Sequence, residues 1–257
     1  MEKWDAQQYL KFKKYRTQPA VDLANTILAD KPLKAVDIGC GPGNSTAVLQ
    51  KRFPSAVITG VDNSADMLET AQKNCPDCHF IYCDIANELH TLEKDYDIVF
   101  SNACIQWVPN HPQLLEQMIG LLKNGGTLAV QIPLQQEQPM HRIIRKLAQS
   151  KFWSPYFSVV RDFFILTPGE YFDLLSELTD DFTIWKTTYC HQMNSYEELI
   201  EWYRGTGLRP YLAALPKELR ADFENQLKEK IRQVYPQQKN GKIMFEFPRL
   251  FFLAIRR

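Results

Sequence analysis

The sequence predicts an α/β fold: a doubly wound, mostly parallel sheet covered on both faces, with a helical arm before it and a helical cap inserted around its last strands. Three observations carry this. From residue 34, short apolar runs alternate with stretches of helical spacing, the pattern of a sheet crossed by helices. The first apolar run, Lys34 to Ile38, meets glycines at positions 39, 41 and 43 and then the polar helix starters Asn44-Ser45-Thr46. Past Pro133 the alternation stops and aromatic-rich helical segments take over. At 257 residues the chain fits one α/β domain with insertions better than two independent domains.

Residues 2 to 29 read as two helical pieces. Trp4, Tyr9, Leu10 and Phe12 form one apolar stripe, and Pro19 opens a second helix through Val21, Leu23, Ile27 and Leu28. The predicted strands are Lys34 to Ile38, Ala56 to Val61, His79 to Cys83, Asp97 to Phe100 and Thr127 to Ile132. Asn44 to Arg52, Ala65 to Lys73 and Pro112 to Leu122 are the helices between them. Asn124-Gly125-Gly126 reads as the turn that ends the last of these helices. Pro139 to Gln149 follows as a helix. Thr167-Pro168-Gly169-Glu170 has the form of a capping box for a helix reaching about Leu178. Phe182 to His191 reads as a strand, Ser195-Tyr196-Glu197-Glu198 as a second capping box opening a helical excursion to about Tyr235, and Leu250 to Ile255 as a buried strand. The expected organisation is a single domain over 1–257, with an arm at 1–30, a cofactor half at 31–133 and cap insertions at 134–180 and 194–245.

Thirty basic and thirty acidic residues cancel, which removes the electrostatic footprint of a dedicated nucleic-acid binder. Neither a signal-peptide pattern nor the roughly 18 apolar residues of a membrane helix occurs, so the expectation is a soluble, cytoplasmic monomer with no membrane partner. The six cysteines then read as free thiols. Cys75-Pro76-Asp77-Cys78-His79 has the spacing of half a zinc site, but no second half completes a tetrahedron, and no metal is expected.

The glycine loop suits a nucleotide-like cofactor at the carboxyl end of a strand. A dinucleotide fingerprint wants glycine at its first, third and sixth positions; here the glycines are first, third and fifth, and the sixth position is Asn44. Asp62 closes the second strand about twenty residues on, where a carboxylate can accept both hydroxyls of a ribose. Cys83-Asp84-Ile85 ends the third strand with an acid that can accept from an adenine amino group, and Ser101-Asn102-Ala103 ends the fourth with polar atoms near the reacting end.

With these residues in place, the chain resembles the class I S-adenosylmethionine-dependent methyltransferases. The resemblance implies a Rossmann-like sheet of seven strands, the last antiparallel, and S-adenosylmethionine as cofactor. It implies cofactor contacts from Asp37, Gly39, Cys40, Gly41, Gly43 and Asn44 in the loop, from Asp62 and Asn63 at the ribose, and from Met67, Asp84, Ile85 and Asn102 further on. Spacing alone makes Met67 a core residue. Tyr9-Leu10-Lys11-Phe12, Gln106-Trp107-Val108-Pro109-Asn110-His111, Gly205-Thr206-Gly207-Leu208-Arg209-Pro210 and Phe247-Pro248-Arg249-Leu250 are similar to blocks of the trans-aconitate methyltransferases. This implies methyl-ester formation on a small polycarboxylic acid.

An ionised carboxylate is its own nucleophile at neutral pH, so no catalytic acid or base is expected. The acid's other carboxylates need cations. Arg209 is the first candidate, and Arg16 and Arg249 follow, each with surface pairing as the alternative. Trp107 and His111, just past the fourth strand, are placed to wall the pocket, and Tyr9 lies on an arm that can fold over it. His141 and His191 read as structural. A carrier-bound acid as acceptor shares every cofactor residue. A nucleic-acid base methyltransferase is disfavoured by Ser101-Asn102-Ala103-Cys104, which lacks the Asn/Asp-Pro-Pro-aromatic pattern, and a nicotinamide oxidoreductase by Asn44 at the sixth loop position.

Overall fold

The computed structural model describes residues 12–157 and 163–257. Among them are seven strands, β1 (Lys34–Ile38), β2 (Val57–Asp62), β3 (His79–Tyr82), β4 (Tyr96–Asn102), β5 (Leu122–Pro133), β6 (Phe182–Met193) and β7 (Ile243–Ile255). They form one sheet in the order β3-β2-β1-β4-β5-β7-β6. The pairs from β3 through β5 are parallel. The helices are α1 (Lys13–Thr26), α2 (Asn44–Arg52), α3 (Ala65–Asn74), α4 (His111–Gly120), α5 (Pro139–Ala148), α6 (Pro168–Leu178), α7 (Tyr196–Arg204), α8 (Arg209–Ala214) and α9 (Lys217–Arg232). No helix among the described residues is long and apolar enough to cross a membrane.

The described chain packs as two compact units. A sheet unit holds residues 13–133, 163–187 and 250–257, and a helical unit holds Phe12, 134–157 and 188–249. Residues 163–180, placed with the cap by sequence, cluster with the sheet. The sheet unit is built on strands buried on both faces. Val36, Ile38, Val61, Val99, Phe100 and Val130 are all fully buried, as expected of parallel strands covered by helices. Burying each such side chain stabilises the fold by roughly 1.5–3 kcal/mol. The helical unit has an aromatic core of its own: Phe223 packs edge-on against Trp153 at 5.0 Å and Phe157 at 5.4 Å, and stacks with Tyr211.

Two local expectations are corrected. Pro19 does not open a helix; it lies inside α1, which runs unbroken from Lys13. Its fixed φ is helical, so the ring is tolerated at the loss of one backbone hydrogen bond. Asn124-Gly125-Gly126 is not a helix-ending turn. Helix α4 stops at Gly120, and the glycines lie within β5. Gly125 (φ +77) donates to Arg256 O, and Arg256 N–H donates to Gly126 O, so two residues of β5 oppose one beyond β7. That is a glycine bulge on an antiparallel neighbour. A Cβ on Gly126 would stand 2.9 Å from Tyr96 O and Lys123 O. The Arg256 side chain also bonds Gly120 O and Leu122 O, satisfying a carbonyl at the end of α4.

The predicted capping box at Thr167 is present with both its bonds. At Ser195 only half forms: Ser195 accepts from Glu198 N–H, while the Glu198 carboxylate takes the N–H of Asn194 instead.

Candidate functional site

The glycine loop begins where β1 ends. Gly39 and Cys40 both donate backbone N–H to Val61 O on β2, at 2.8 and 2.9 Å, and Gly39, Gly41 and Gly43 have φ of +72, +54 and +86. A Cβ on Gly39 would stand 2.0 Å from Cys104 Sγ. One on Gly43 would press on Ala71 of α3 at 3.2 Å. The fifth loop position therefore carries the close packing that a dinucleotide loop assigns to its sixth.

Two acids hold this loop. Asp62, the last residue of β2, accepts Gly41 N–H at 2.9 Å on Oδ2 and Ser64 N–H at 3.0 Å on Oδ1. Burial raises its pKa, against the pull of these N–H bonds. Asp37 on β1 is fully buried. Its Oδ2 accepts the hydroxyls of Ser45 and Thr46, each at 2.7 Å, from the first turn of α2. Its Oδ1 has no hydrogen-bond partner. Burial pushes its pKa up to about 6, the two hydroxyls pull it down, and the charge of Asp62 raises it further.

The other strand ends follow the same edge. Asn44 opens α2 half-buried, Cys40 is buried, Asn63 is exposed and Met67 is buried on α3. Asp84 accepts Ala86 N–H and the Asn87 side-chain amide, beside buried Ile85. Asn102 ends β4 with its Oδ1 unpartnered. Next to it Ala103 has φ +55, an uncommon conformation for a residue with a Cβ. Two bonds pin it: its N–H donates to Gln131 O at 3.0 Å, and its carbonyl accepts Gln106 Nε2 at 2.7 Å. That second bond fixes the Gln106 amide and leaves its buried Oε1 unpartnered. Acceptor oxygens without donors on Asp37, Asn102 and Gln106 thus gather at the carboxyl ends of the adjacent strands β1 and β4 and the turn after them. An edge of this kind suits a ligand that carries positive charge.

On the same unit, a single 3₁₀ turn at Ile105–Trp107 follows β4. The half-buried Trp107 ring lies 4.6 Å from Phe163. His111, at the start of α4, is buried, with Nε2 2.9 Å from Ile105 O and Nδ1 2.5 Å from the Tyr171 hydroxyl. A carbonyl can only accept, so Nε2 carries the proton and Nδ1 accepts from Tyr171. Burial lowers the His111 pKa, against the carbonyls of Ile105 and Val108. Both ring nitrogens are therefore engaged within the protein. Arg16 is buried on α1.

The other arginines are in the helical unit. Arg209 is half-buried at the start of α8. Arg249 is 4% exposed, with its guanidinium 4.7 Å from the Phe247 ring centre and 5.9 Å from that of Tyr189. Burial and the Arg249 charge lower the pKa of His191 to about 4. Tyr9 lies outside the described residues.

Comparison with known proteins extends what the geometry shows. Residues 35–126 match the methyltransferase domain family. Over 99% of both chains, the sequence is 41% identical to trans-aconitate 2-methyltransferase of Rhodopseudomonas palustris strain BisA53. It is 42% identical to the enzyme of that name from Enterobacter sp. strain 638, over 100% of this chain and 99% of the relative. The chain belongs to the trans-aconitate 2-methyltransferase family. Among solved structures, the YcgJ protein of Bacillus subtilis has a similar fold, with TM-score 0.62 at 15% identity over 93% of this chain and 98% of that one. So does phosphoethanolamine N-methyltransferase 2 of Haemonchus contortus, solved with S-adenosyl-L-methionine, with TM-score 0.57 at 17% identity over 93% of this chain and 52% of that one.

Several residues that brace the loop and the turn after β4 escaped the sequence. Ser45 and Thr46 were visible only as helix starters, although they hold Asp37. Hydroxyls in the first turn after a glycine loop, eight and nine residues past a strand acid, are a usable signal. Gln106 and Tyr171 had none: a glutamine after a strand and a tyrosine on a helix face carry no pattern that names their partners.

Proposed function

We propose that the protein transfers a methyl group from S-adenosylmethionine to one carboxylate of a small polycarboxylic acid, trans-aconitate or a close relative, giving a methyl ester. The observation that carries the reading is the acceptor-rich edge of β1 and β4 around buried Asp37, in a chain about 40% identical over its whole length to enzymes named for this reaction. The residues present fit such a cofactor. Its cationic end would find acceptors on Asp37, Asn102 and Gln106, and a Cβ on Gly41 would meet nothing within 4 Å, so the loop keeps open space there.

When bound, S-adenosylmethionine supplies an electrophilic methyl on a sulfonium. The loop residues Asp37, Gly39, Cys40, Gly41, Gly43 and Asn44 receive the amino-acid end of the cofactor. Asp62 and Asn63 take the ribose, and Met67, Asp84 and Ile85 flank the base. Asn102 stands near the reacting end. The acceptor's carboxylate is ionised and attacks in line, so the protein provides no base. Water exclusion by Trp107 would strengthen the attraction between the anionic acid and the cationic methyl donor. Arg16, Arg209 and Arg249 serve the carboxylates that do not react, Arg249 with its aromatic neighbours already desolvating the guanidinium.

The test is incubation with methyl-labelled S-adenosylmethionine and a panel of di- and tricarboxylic acids. Label should enter trans-aconitate or a near relative and be released by mild base. Base-stable label, or transfer only to a carrier-bound acid, would reject the assignment.

A further inference from the structure

His111 and Tyr171 are both buried, and the two His111 ring nitrogens are engaged by Ile105 O and the Tyr171 hydroxyl, so the imidazole has no nitrogen left for an acid. They are nevertheless joined to the turn that carries Trp107. The segment 163–171 grips each residue of that turn in a different way. Tyr171 O–H donates to His111 Nδ1, and His111 Nε2–H donates to Ile105 O. Phe164 N–H donates to Gln106 O at 2.9 Å. The Phe163 ring packs on Trp107. Three consecutive residues, Ile105, Gln106 and Trp107, are thus tied by a segment some sixty positions away in sequence, and the turn itself leans on the left-handed Ala103 through Gln106. The turn is anchored next to a strained residue, Ala103, whose N–H donates to Gln131 O on β5.

We propose that His111 and Tyr171 are a positioning pair for the acceptor: through Ile105 they hold the 105–107 turn so that Trp107 presents one fixed wall to the acid's carbon skeleton. The proposal rests on the reading of Trp107 as that wall. Helix α6 supplies the O–H, the imidazole passes the constraint to the turn as a neutral Nε2–H tautomer, and no proton moves during the reaction. The pair therefore acts on binding of the acid and leaves the cofactor edge in place.

The experiment uses the full chain with Tyr171→Phe, which keeps the ring and deletes the hydroxyl, with His111→Gln, and with the double variant. Initial rates are taken against trans-aconitate and against S-adenosylmethionine separately, with Tm and the dissociation constant of S-adenosylhomocysteine measured alongside. The acid KM should rise about tenfold in either single variant. kcat, cofactor KM and S-adenosylhomocysteine affinity should stay within about threefold, and the double variant should be no worse than the weaker single one. A purely structural brace would instead lower Tm and active fraction with acid KM unchanged, which overturns the proposal, as would strictly additive effects. An arm that needs no substrate separates this from failure of the assigned function. The indole N–H resonance of Trp107, assigned through Trp107→Phe, should shift in Tyr171→Phe; an unmoved resonance overturns the pair even if the wild-type protein methylates a different acid. Wild-type inactivity on every acid tested overturns the assigned function alone.

Discussion

Replacing Asp37 with Asn tests the electrostatics of the cofactor edge without changing its shape. The folded pKa of about 6 lies above the ordinary 3.8, a rise of about two units driven first by burial. At 1.36 kcal/mol per unit, the ionised form costs the fold about 3 kcal/mol. The folded state binds more protons than the unfolded one between pH 3.8 and 6, so wild-type stability falls as pH climbs through that window, and the penalty is complete above it. In Asp37→Asn the side-chain oxygen still accepts from Ser45 and Thr46, and the new amide N–H₂ sits where Oδ1 has no partner. That unpaired donor takes back about 1 kcal/mol. The variant should therefore be about 2 kcal/mol more stable at pH 8, a Tm rise of roughly 4–8 °C for a chain of this size. The gain should shrink steadily below pH 6. Affinity for S-adenosylmethionine should drop by tenfold or more as the carboxylate is lost. Differential scanning fluorimetry from pH 4.5 to 8.5 and a binding titration read both effects. An equal or lower Tm at pH 8, or an offset that does not change with pH, would refute the reasoning.

Gly39→Ala places a methyl 2.0 Å from Cys104 Sγ and 2.4 Å from its Cβ at a φ of +72, so it should lose at least about 1–2 kcal/mol and most cofactor affinity, with partial recovery in Gly39→Ala/Cys104→Gly; a thermal melt showing no loss in the single variant contradicts the packing. Thr167→Ala deletes a complete capping box and should cost about 1 kcal/mol, or roughly 2–4 °C in Tm, with kinetics intact. Arg249→Gln removes the cation beside His191, so the imidazole pKa should climb from about 4 in an NMR titration while the acid KM rises about tenfold or more. If the imidazole titrates unchanged, Arg249 does not act on it.

The cofactor half was legible because its strands are buried on both faces and therefore continuous in hydrophobicity, and because three glycines with positive φ can hardly be anything else. The predicted strand limits miss by two residues at most, except at β7, which begins at Ile243 rather than Leu250, and at β5, where Gly125 and Gly126 look alike as a turn or as a bulge. Only the partner, Arg256, decides, and it lies 130 positions away. Pro19 misled for a related reason: its ring suits a first turn and is also tolerated mid-helix. His111 is the instructive case. The sequence marks it as a polar residue near a pocket, but its two nitrogens are taken by Ile105 and by Tyr171, whose own helix was correctly foreseen from its capping box. Local signals locate elements; which polar groups meet across elements is set by packing and leaves little trace in spacing.

The strand order carries a consequence for how the chain reaches this state. Because β7 lies between β5 and β6, strand β6 has no neighbour in the sheet until β7 arrives, after helices α7, α8 and α9 have been made. On the ribosome, β6 and the outer edge of β5 must therefore wait with bare backbone donors and acceptors while the helical segment emerges. A chain stopped before Ile243 keeps both edges open and is poised to pair with another copy of itself. The last strand is the bolt of the sheet, and its absence should show as aggregation.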